Sequence, residues 1–301
     1  MESARDKYTN KVIDAEELWR IQSVDSQGYL CCGCDAAATP CSFAPENKVR
    51  PYFRVEGRHQ DSCDVKEEMT WVKRARTERL RTTEGFPCRV PNRLQLRDST
   101  HEQLADPAVA AQGVPANQRE SSGVQRTRRN PFYTAETIRP ICRAFMLFPH
   151  NRDLPLSIPD VDGDTFEHIF EHLDRNQIRS YKVRRVFYAP LRWSAPMASE
   201  DSLEITVDAG EWSDLERRRV HPYRVQALWG NWSATRRTSM KREIEVARLE
   251  AIKASKDGRP EKGWLFFIGR QTDGEPEVFQ VRDHRLICIR VAEMPKATRY
   301  T

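Results

Sequence analysis

Four residues near the start of the chain have the types and the spacing of a closed metal site. Cys31 and Cys34 form a Cys-x2-Cys pair, and His59 and Cys63 follow 24 residues later as a His-x3-Cys pair. Two thiolates from one tight turn and two ligands from a second short segment can complete a tetrahedron around one ion. Because three thiolates and one imidazole leave no open position for a substrate, this spacing predicts a structural zinc ion.

Other cysteines keep alternatives open. Cys32 could replace Cys31, and Cys41 could replace one of the four predicted ligands. The first residues of the chain show no export signal, so we expect a cytoplasmic location. In that reducing environment, clustered cysteines among the eight of the chain are expected to bind metal rather than form disulfides. The longest apolar run, residues 264–268, is too short for a transmembrane helix, so we expect no membrane partner.

The segment 29–64 resembles the N-terminal zinc-binding module of the CoiA-like competence protein family. The residues that match the family pattern are Cys31, Cys34, Phe53, His59 and Cys63. Tyr52 departs from it, because the family often has a histidine there. The resemblance implies a zinc module associated with DNA processing. It does not extend to the nuclease domain that usually follows in the family, because the catalytic motif of that domain is not visible in this chain.

Two short hairpins would have to hold the ligands, and composition divides the rest of the chain. We expect a zinc-binding β module at 1–66, a basic helix and flexible linker at 67–130, and an α+β domain at 131–296. The linker is rich in Pro, Ser, Gln and Asn. Residues 66–130 hold 13 basic and eight acidic residues, which equals the net charge of +5 of the whole chain.

Hydrophobic periodicity predicts the elements of the C-terminal domain. Helices are expected at 66–82, 164–173 and about 237–255, and residues 134–148 fit either a helix broken near Pro140 or an extended segment. Asp164 would cap the 164–173 helix. Strands are expected at 181–193, 203–207, 223–229, 263–270 and 278–291, with a hairpin near residues 273–274. Five strands with one interposed helix indicate an OB-like barrel.

Basic and aromatic residues alternate in places, which is typical of proteins that bind single-stranded nucleic acid. Guanidinium groups would contact phosphates, and aromatic rings would stack on bases. The predicted nucleic-acid-binding residues are Arg126, Arg128, Arg129, Lys182, Arg184, Tyr188, Arg236 and Arg237. The expected function is a nucleic-acid-binding or adaptor protein, with DNA as the favoured partner.

Two enzymatic alternatives rest on weaker patterns. His168, Glu171 and His172 fit the His-x2-Glu-His pattern of inverted-motif metallopeptidases, but a helical wheel puts both histidines opposite the apolar stripe, where solvation is expected. Asp208 and Glu211 could hold a divalent metal in a restriction-fold DNA nuclease, although no Glu/Asp-x-Lys follows on the next strand. A third alternative is a protein–protein subunit of a phage-defence or mobile-element assembly.

Overall fold

The structure is a computed structural model that describes residues 1–44, 46–47, 49–61, 63–81, 85–96 and 132–295. Helices and several separate sheets occur together, so the fold is α+β as the sequence predicts. We refer to residues 1–63 as the N-terminal region and to residues 132–295 as the C-terminal region.

Short strands build the N-terminal region. Strands β1 (Ser3–Asp6), β2 (Val12–Asp14) and β3 (Tyr29–Leu30) form an antiparallel sheet in the order β2-β1-β3. Strands β4 (Ala38–Cys41) and β5 (Tyr52–Val55) form an antiparallel pair. A 3₁₀ helix, Ala15–Arg20, closes over these strands and buries Leu18 beside Tyr29 and Phe53. This apolar cluster is small, because the strands have only two to four residues each.

The connection to the C-terminal region is folded as far as the structure describes it. Helix α1 (Asp64–Ala75) begins directly after Cys63. Strand β6 (Val90–Leu94) pairs in parallel with β7 (Phe132–Ala135), so described residues on either side of the segment 97–131 share one small sheet.

Helix α2 (Ile138–Leu147) settles the choice that the sequence left open at 134–148. Its N-cap is Thr137, whose hydroxyl accepts a hydrogen bond from the Arg139 amide at 3.3 Å. Pro140 lies in the first turn, where backbone amides have no partner within the helix, so the proline does not break it.

Two sheets form the body of the C-terminal region. The first has the order β10-β11-β12-β15-β14 and the second the order β16-β13-β9-β8. The strands of the first are β10 (Met197–Ala198), β11 (Ser202–Ser213), β12 (Arg218–Leu228), β14 (Arg270–Thr272) and β15 (Glu275–Val281). The strands of the second are β8 (Phe170–His172), β9 (Val186–Pro190), β13 (Lys262–Phe267) and β16 (Ile287–Ala292). A bridge between Leu191 and Val207 joins the two sheets.

Aromatic side chains fill the space between these elements. Phe187 of β9 and Phe279 of β15 have ring centroids 4.9 Å apart, which connects the two sheets through the core. Phe145 of α2 stacks on Phe170 of β8 at 3.9 Å. Phe266 of β13 lies 6.4 Å from Phe145 and is fully buried. The core is therefore one continuous cluster that α2 and both sheets share.

Helix α4 (Ala234–Lys256) confirms the longest helix that the sequence predicts and extends it at its start. Its N-cap is Ser233, which accepts a hydrogen bond from the Arg236 amide at 3.3 Å. The predicted apolar stripe is buried against β13 and β16. The residues of that stripe are Met240, Ile244, Ala247 and Ala251.

The helix expected at 164–173 is wrong in length. Helix α3 (Phe166–Ile169) has a single turn, and Thr165 rather than Asp164 caps it by accepting from the His168 amide at 3.3 Å. Phe170 then starts β8, which pairs in parallel with β9. Pairing with β9 and stacking on Phe145 outweigh the local helical periodicity, which is a weak preference over so few residues.

The expected strands also divide differently. The run 263–270 is split between β13 and β14, and the run 278–291 between β15 and β16, while the hairpin at residues 273–274 is present between β14 and β15. The OB-like barrel is not confirmed, because these strands belong to two sheets of five and four strands.

The basic helix expected at 66–82 is present in shorter form as α1, and the flexible linker expected after it, up to residue 130, is not confirmed by the described residues. Residues 67–75 continue α1, and Leu80, Val90 and Leu94 are buried in the same core as the C-terminal region. These apolar side chains stabilise packed structure, not a solvated tether. The remainder of the predicted linker, residues 97–130, lies outside the described residues.

Candidate metal centre

Three local structures bring the predicted ligands together. Cys31 and Cys34 lie in the turn that follows β3, His59 lies in the loop that follows β5, and Cys63 is the N-cap residue of α1. Gly57, at φ +81°, occupies the left-handed region in the loop before His59, which a residue with a side chain rarely adopts. The two hairpins that the spacing predicts therefore supply three ligands, and the start of a helix supplies the fourth.

Backbone hydrogen bonds shape the turn that holds Cys31 and Cys34. The Cys31 amide donates to the Ala36 carbonyl at 2.8 Å, and the Asp35 amide donates to the Cys31 carbonyl at 3.3 Å. The Gly33 amide points at the Cys31 Sγ at 3.5 Å. Asp35 has φ +58°, which reverses the chain immediately after the second cysteine. These contacts hold Cys31 and Cys34 in one tight turn.

The four ligand atoms have the separations of a tetrahedron. The His59 Nδ1 lies 3.5 Å from the Sγ of Cys31, 3.5 Å from that of Cys34 and 3.2 Å from that of Cys63. The Sγ atoms of Cys31 and Cys63 are 3.7 Å apart, and all four ligand atoms lie within 4.8 Å of one another. Metal–sulfur bonds near 2.3 Å and metal–nitrogen bonds near 2.0 Å give a sulfur–sulfur edge of about 3.8 Å and a sulfur–nitrogen edge of about 3.5 Å. The four residues could therefore hold a metal ion.

The surroundings of the thiols differ, and so do their pKa values. Burial raises the pKa of the Cys31 thiol to about 12. Burial also acts to raise the pKa of Cys34, but hydrogen bonds from the Ala36 and Gln60 amides, with smaller contributions from His59 and Cys63, outweigh it and lower this pKa to about 6. One ligand is thus a thiolate at neutral pH, and a bound cation would displace the protons of the others.

The two alternative cysteines lie outside this cluster. The Cys41 Sγ donates to the Thr39 carbonyl at 3.6 Å in β4. Burial raises the pKa of Cys32, so its thiol is protonated at neutral pH. Among the described residues, Cys31, Cys34, His59 and Cys63 are the one group of three or more potential ligands close enough to share an ion.

The predicted nucleic-acid-binding residues occupy several different environments. Lys182 and Arg184 precede β9 instead of lying on it, and both line an open cavity. Tyr188 lies on β9 and is partly buried in the aromatic core, 5.5 Å from Phe266 and 5.3 Å from Phe145, and its role as a base-stacking ring stays a prediction. The sequence pattern predicts these three residues on one face of a strand. Because β9 begins at Val186, Lys182 and Arg184 precede the strand and do not share that face with Tyr188.

The remaining predicted nucleic-acid-binding residues also have different surroundings. Arg237 is held by three carbonyl groups, those of Trp232, Glu200 and Gly230, so its guanidinium closes the turn before α4. Arg236 is exposed. Arg126, Arg128 and Arg129 lie outside the described residues. The described members of the set therefore include two cavity residues and one exposed arginine that remain accessible.

The His-x2-Glu-His pattern does not form a metal site. On the single turn of α3, the His168 Nδ1 donates to the Asp164 carboxylate at 2.9 Å. His172 lies on β8, with its ring 4.9 Å from that of Tyr188 and 6.1 Å from that of Trp264. Because a strand and not a helix carries Glu171 and His172, the two histidines do not lie one helical turn apart.

Asp208 and Glu211 each contact different basic residues. Asp208 forms an ion pair with Arg219 at 2.6 Å and a longer one with Arg175 at 3.6 Å. Glu211 lies 4.0 Å from His221. Since a guanidinium occupies Asp208 and the described residues place no third carboxylate beside the two, this pair lacks the ligands of a nuclease metal site.

A network of charged residues between the N-terminal region and the C-terminal region has no counterpart in the sequence patterns. Arg139 of α2 donates to Glu243 of α4 at 2.7 Å and lies 3.4 Å from Glu16 of the N-terminal region. All three are buried. We call this set the interface ion network, and its members are Glu2, Glu16, Arg50, Arg139, Arg143, Glu243, Glu250 and Arg290.

This interface ion network fixes how the N-terminal region sits on the rest of the molecule. Arg50 contacts Glu250 at 2.9 Å, and Arg290 contacts Glu2. Burial acts to raise the pKa of Glu243, but Arg139 outweighs it and holds that pKa below its usual range. Buried charges are stable only with partners, so removal of one would leave the others uncompensated. The sequence analysis missed this network. The signal that could have found it is the presence of charged residues, Arg139 and Glu243, at positions that are buried in α2 and α4.

Comparisons with protein-family models, with curated proteins and with solved structures find no match to this chain. Within the part of the chain that the structure describes, no helix combines the length and the apolar character needed to cross a membrane. The resemblance to the CoiA-like module stays a prediction.

Proposed function

We propose that this chain is a cytoplasmic nucleic-acid-binding protein whose N-terminal region is stabilised by a structural zinc ion. The observation that carries the proposal is the Cys31, Cys34, His59 and Cys63 cluster, whose ligand atoms all lie within 4.8 Å of one another. Thiolate and imidazole ligands in tetrahedral geometry favour zinc over magnesium or calcium, which prefer oxygen ligands. With four protein ligands the ion has no free position, so it would hold the fold and take no part in a reaction.

Metal analysis tests the zinc. The purified protein should contain about one zinc per chain, and Cys34→Ser should reduce that content at least tenfold. Cys41→Ser is the matched control, because it removes a thiol of the same region that lies outside the cluster, and it should keep the full content. Equal zinc in both variants, or iron in place of zinc, would overturn this assignment.

Support for a nucleic-acid partner comes from charge and from the resemblance. The net charge of +5 equals that of residues 66–130, which include Arg126, Arg128 and Arg129. Lys182 and Arg184 stand at an open cavity of the C-terminal region. The CoiA-like resemblance of residues 29–64 adds an association with DNA processing. Arginine side chains in both places suit phosphate contacts.

Salt dependence tests this half of the proposal. Fluorescence anisotropy with a labelled single-stranded DNA should show affinity that falls steeply between 50 and 200 mM salt, because bound arginines release counterions. Replacement of Arg126, Arg128 and Arg129 by Gln should lower the salt slope, and Arg192→Gln, an exposed arginine elsewhere, should leave it unchanged. Absence of binding to single-stranded DNA, duplex DNA and RNA at 50 mM salt would overturn the proposal.

An adaptor role is the second candidate, and exposed apolar side chains favour it. Leu215, at the tip of the β11–β12 hairpin, is 95% exposed, and Trp212 of the same hairpin is 41% exposed. If the chain is a subunit of a larger assembly, a second chain should co-purify in fixed stoichiometry, and Leu215→Ser should release it. Retention of that chain by Leu215→Ser would exclude the hairpin as the contact.

A further inference from the structure

An open cavity of about 670 Å³ lies between residues 180–184, which lead into β9, and the β14–β15 hairpin. Gln271 fixes the two walls to each other. Its side-chain oxygen accepts from the Tyr181 amide at 2.7 Å, and its side-chain nitrogen donates to the Arg179 carbonyl at 2.7 Å. The volume is that of a site for a small organic molecule, and the walls are fixed before any ligand enters.

Positive charge faces this cavity from both walls. Lys182 and Arg184 stand on one side and Arg270 on the other. The acidic residues at its rim are Asp160 and Asp273, both exposed, and the closest approach of Asp160 to the Arg184 guanidinium is 3.6 Å. Three cations and two solvated carboxylates leave a net positive rim, which an anion would balance.

Two polar atoms in the walls are buried without a partner among the described residues. They are the Nε of Arg184 and the hydroxyl oxygen of Thr272. Both side chains line the cavity, and the described part of the protein satisfies neither of these two polar atoms. Burial, with Arg270 nearby, lowers the pKa of Arg184, and a ligand anion would offset both effects.

The floor of the cavity is aromatic. Phe187 and Phe279 are buried beneath it, and Tyr181 packs on Phe187 with ring centroids 5.0 Å apart. Tyr181 itself is only partly buried. A guanidinium fork beside a hydroxyl suits a phosphate, and an aromatic floor suits a flat ring. Nucleotides combine both groups in one molecule.

We propose that this cavity binds the phosphate group of a nucleotide, with Arg184, Arg270 and Thr272 as its ligands and Tyr181 beneath the base. The nucleotide has two possible sources: a free mononucleotide, or the phosphorylated 5′ end of a DNA strand. The second source rests on the proposed nucleic-acid function, whereas the first does not.

Calorimetry with thymidine 5′-monophosphate and with thymidine tests the cavity directly. The monophosphate should bind, and thymidine should bind at least about tenfold more weakly, because charge-assisted hydrogen bonds to the phosphate are lost. Arg184→Gln and Thr272→Val should each weaken the monophosphate, and Arg184→Lys should restore part of the loss. Arg192→Gln is the matched control with full affinity, and circular dichroism checks that each variant is folded.

Anisotropy with single-stranded DNA that carries either a 5′ phosphate or a 5′ hydroxyl distinguishes the sources. Preference for the phosphorylated strand that disappears in Arg184→Gln supports the strand end, and binding of the monophosphate without that preference supports a free nucleotide. If both strands bind equally and the monophosphate does not bind, the cavity proposal is overturned while the nucleic-acid function stands. If neither DNA nor monophosphate binds, both are overturned.

Discussion

The N-terminal and C-terminal regions reach a folded state by different means. The N-terminal region has a small apolar cluster around Leu18, Tyr29 and Phe53, and it adds the Cys3His cluster and the interface ion network. The C-terminal region has two sheets, two long helices and a continuous aromatic core. Strands of two to four residues bury too little apolar surface to fold alone, so specific bonds replace hydrophobic burial where the core is small.

The largest expected effect comes from removing metal from the Cys3His cluster, which tests whether the N-terminal region depends on that cluster for its fold. If the proposed ion is bound, a chelator that removes it should raise amide hydrogen exchange in β4 and β5 by at least about a hundredfold, because the ion would supply much of the folding free energy of such a module. Amides of β13 should keep their protection. If β4 and β5 stay protected in metal-free protein, the small core suffices without the ion.

The corresponding test of the C-terminal region is the truncation of a side chain in its core. Phe266→Ala removes a fully buried ring and should lower the free energy of unfolding by about 3–5 kcal/mol in urea denaturation. Zinc content should stay at that of the unmodified protein, since Phe266 lies in the core cluster and not in the metal cluster. Loss of the metal together with a lower free energy of unfolding would show that the Cys3His cluster depends on the core of the C-terminal region.

The contact between the regions depends on paired charges. Arg139→Met should lower the free energy of unfolding by about 3 kcal/mol, because Glu243 and Glu16 keep their charges without their nearest partner. The double variant Arg139→Met, Glu243→Gln should recover part of this loss, since the amide can still accept from the Ile289 amide. The control is Arg74→Met, whose exposed pair with Glu78 should be worth less than about 1 kcal/mol. Equal losses in Arg139→Met and Arg74→Met would contradict a buried network.

The smallest effect concerns pH in the N-terminal region. Burial, with Glu17 and Glu16 adding to it, raises the pKa of Asp14 to about 7. The folded state therefore holds this proton more tightly than the unfolded state, and stability falls as the pH rises from about 4 to about 7. Asp14→Asn should raise the free energy of unfolding on the order of 1 kcal/mol at pH 8 and less at pH 5.

Urea denaturation at the two pH values measures the effect of Asp14→Asn. The exposed Asp61, replaced by Asn, serves as the control and should change stability equally at both. A gain from Asp14→Asn that is the same at pH 5 and pH 8 would show that the Asp14 carboxyl is not protonated preferentially in the folded state.

The clustering of the four candidate metal ligands could be predicted because their chemistry is local. Cys31 and Cys34 share one turn, His59 and Cys63 share a second short segment, and few residue types suit a tetrahedral ion. The long helix α4 was predictable for a similar reason, since its buried stripe repeats over about three turns. Both signals lie within a short stretch of sequence.

The rest depends on contacts between distant parts of the chain. Phe170 leaves the helical pattern because β9 offers it a strand partner, and Tyr188 turns inward because β9 begins at Val186. The pair of Arg139 and Glu243 is separated by more than a hundred residues. Periodicity reports which residues are apolar, and it carries no information on which distant partner a charged or aromatic side chain will meet.

The parallel pairing of β6 with β7 has a consequence for chain connectivity. Val90 lies beside Phe132 and Leu94 beside Ala135, so the polypeptide leaves this small sheet and returns to it. A backbone cut between residues 96 and 132 would therefore not separate a module from a domain. It would divide one core between two fragments, each holding one strand of the pair, and reassembly of the fold would become a bimolecular, concentration-dependent association.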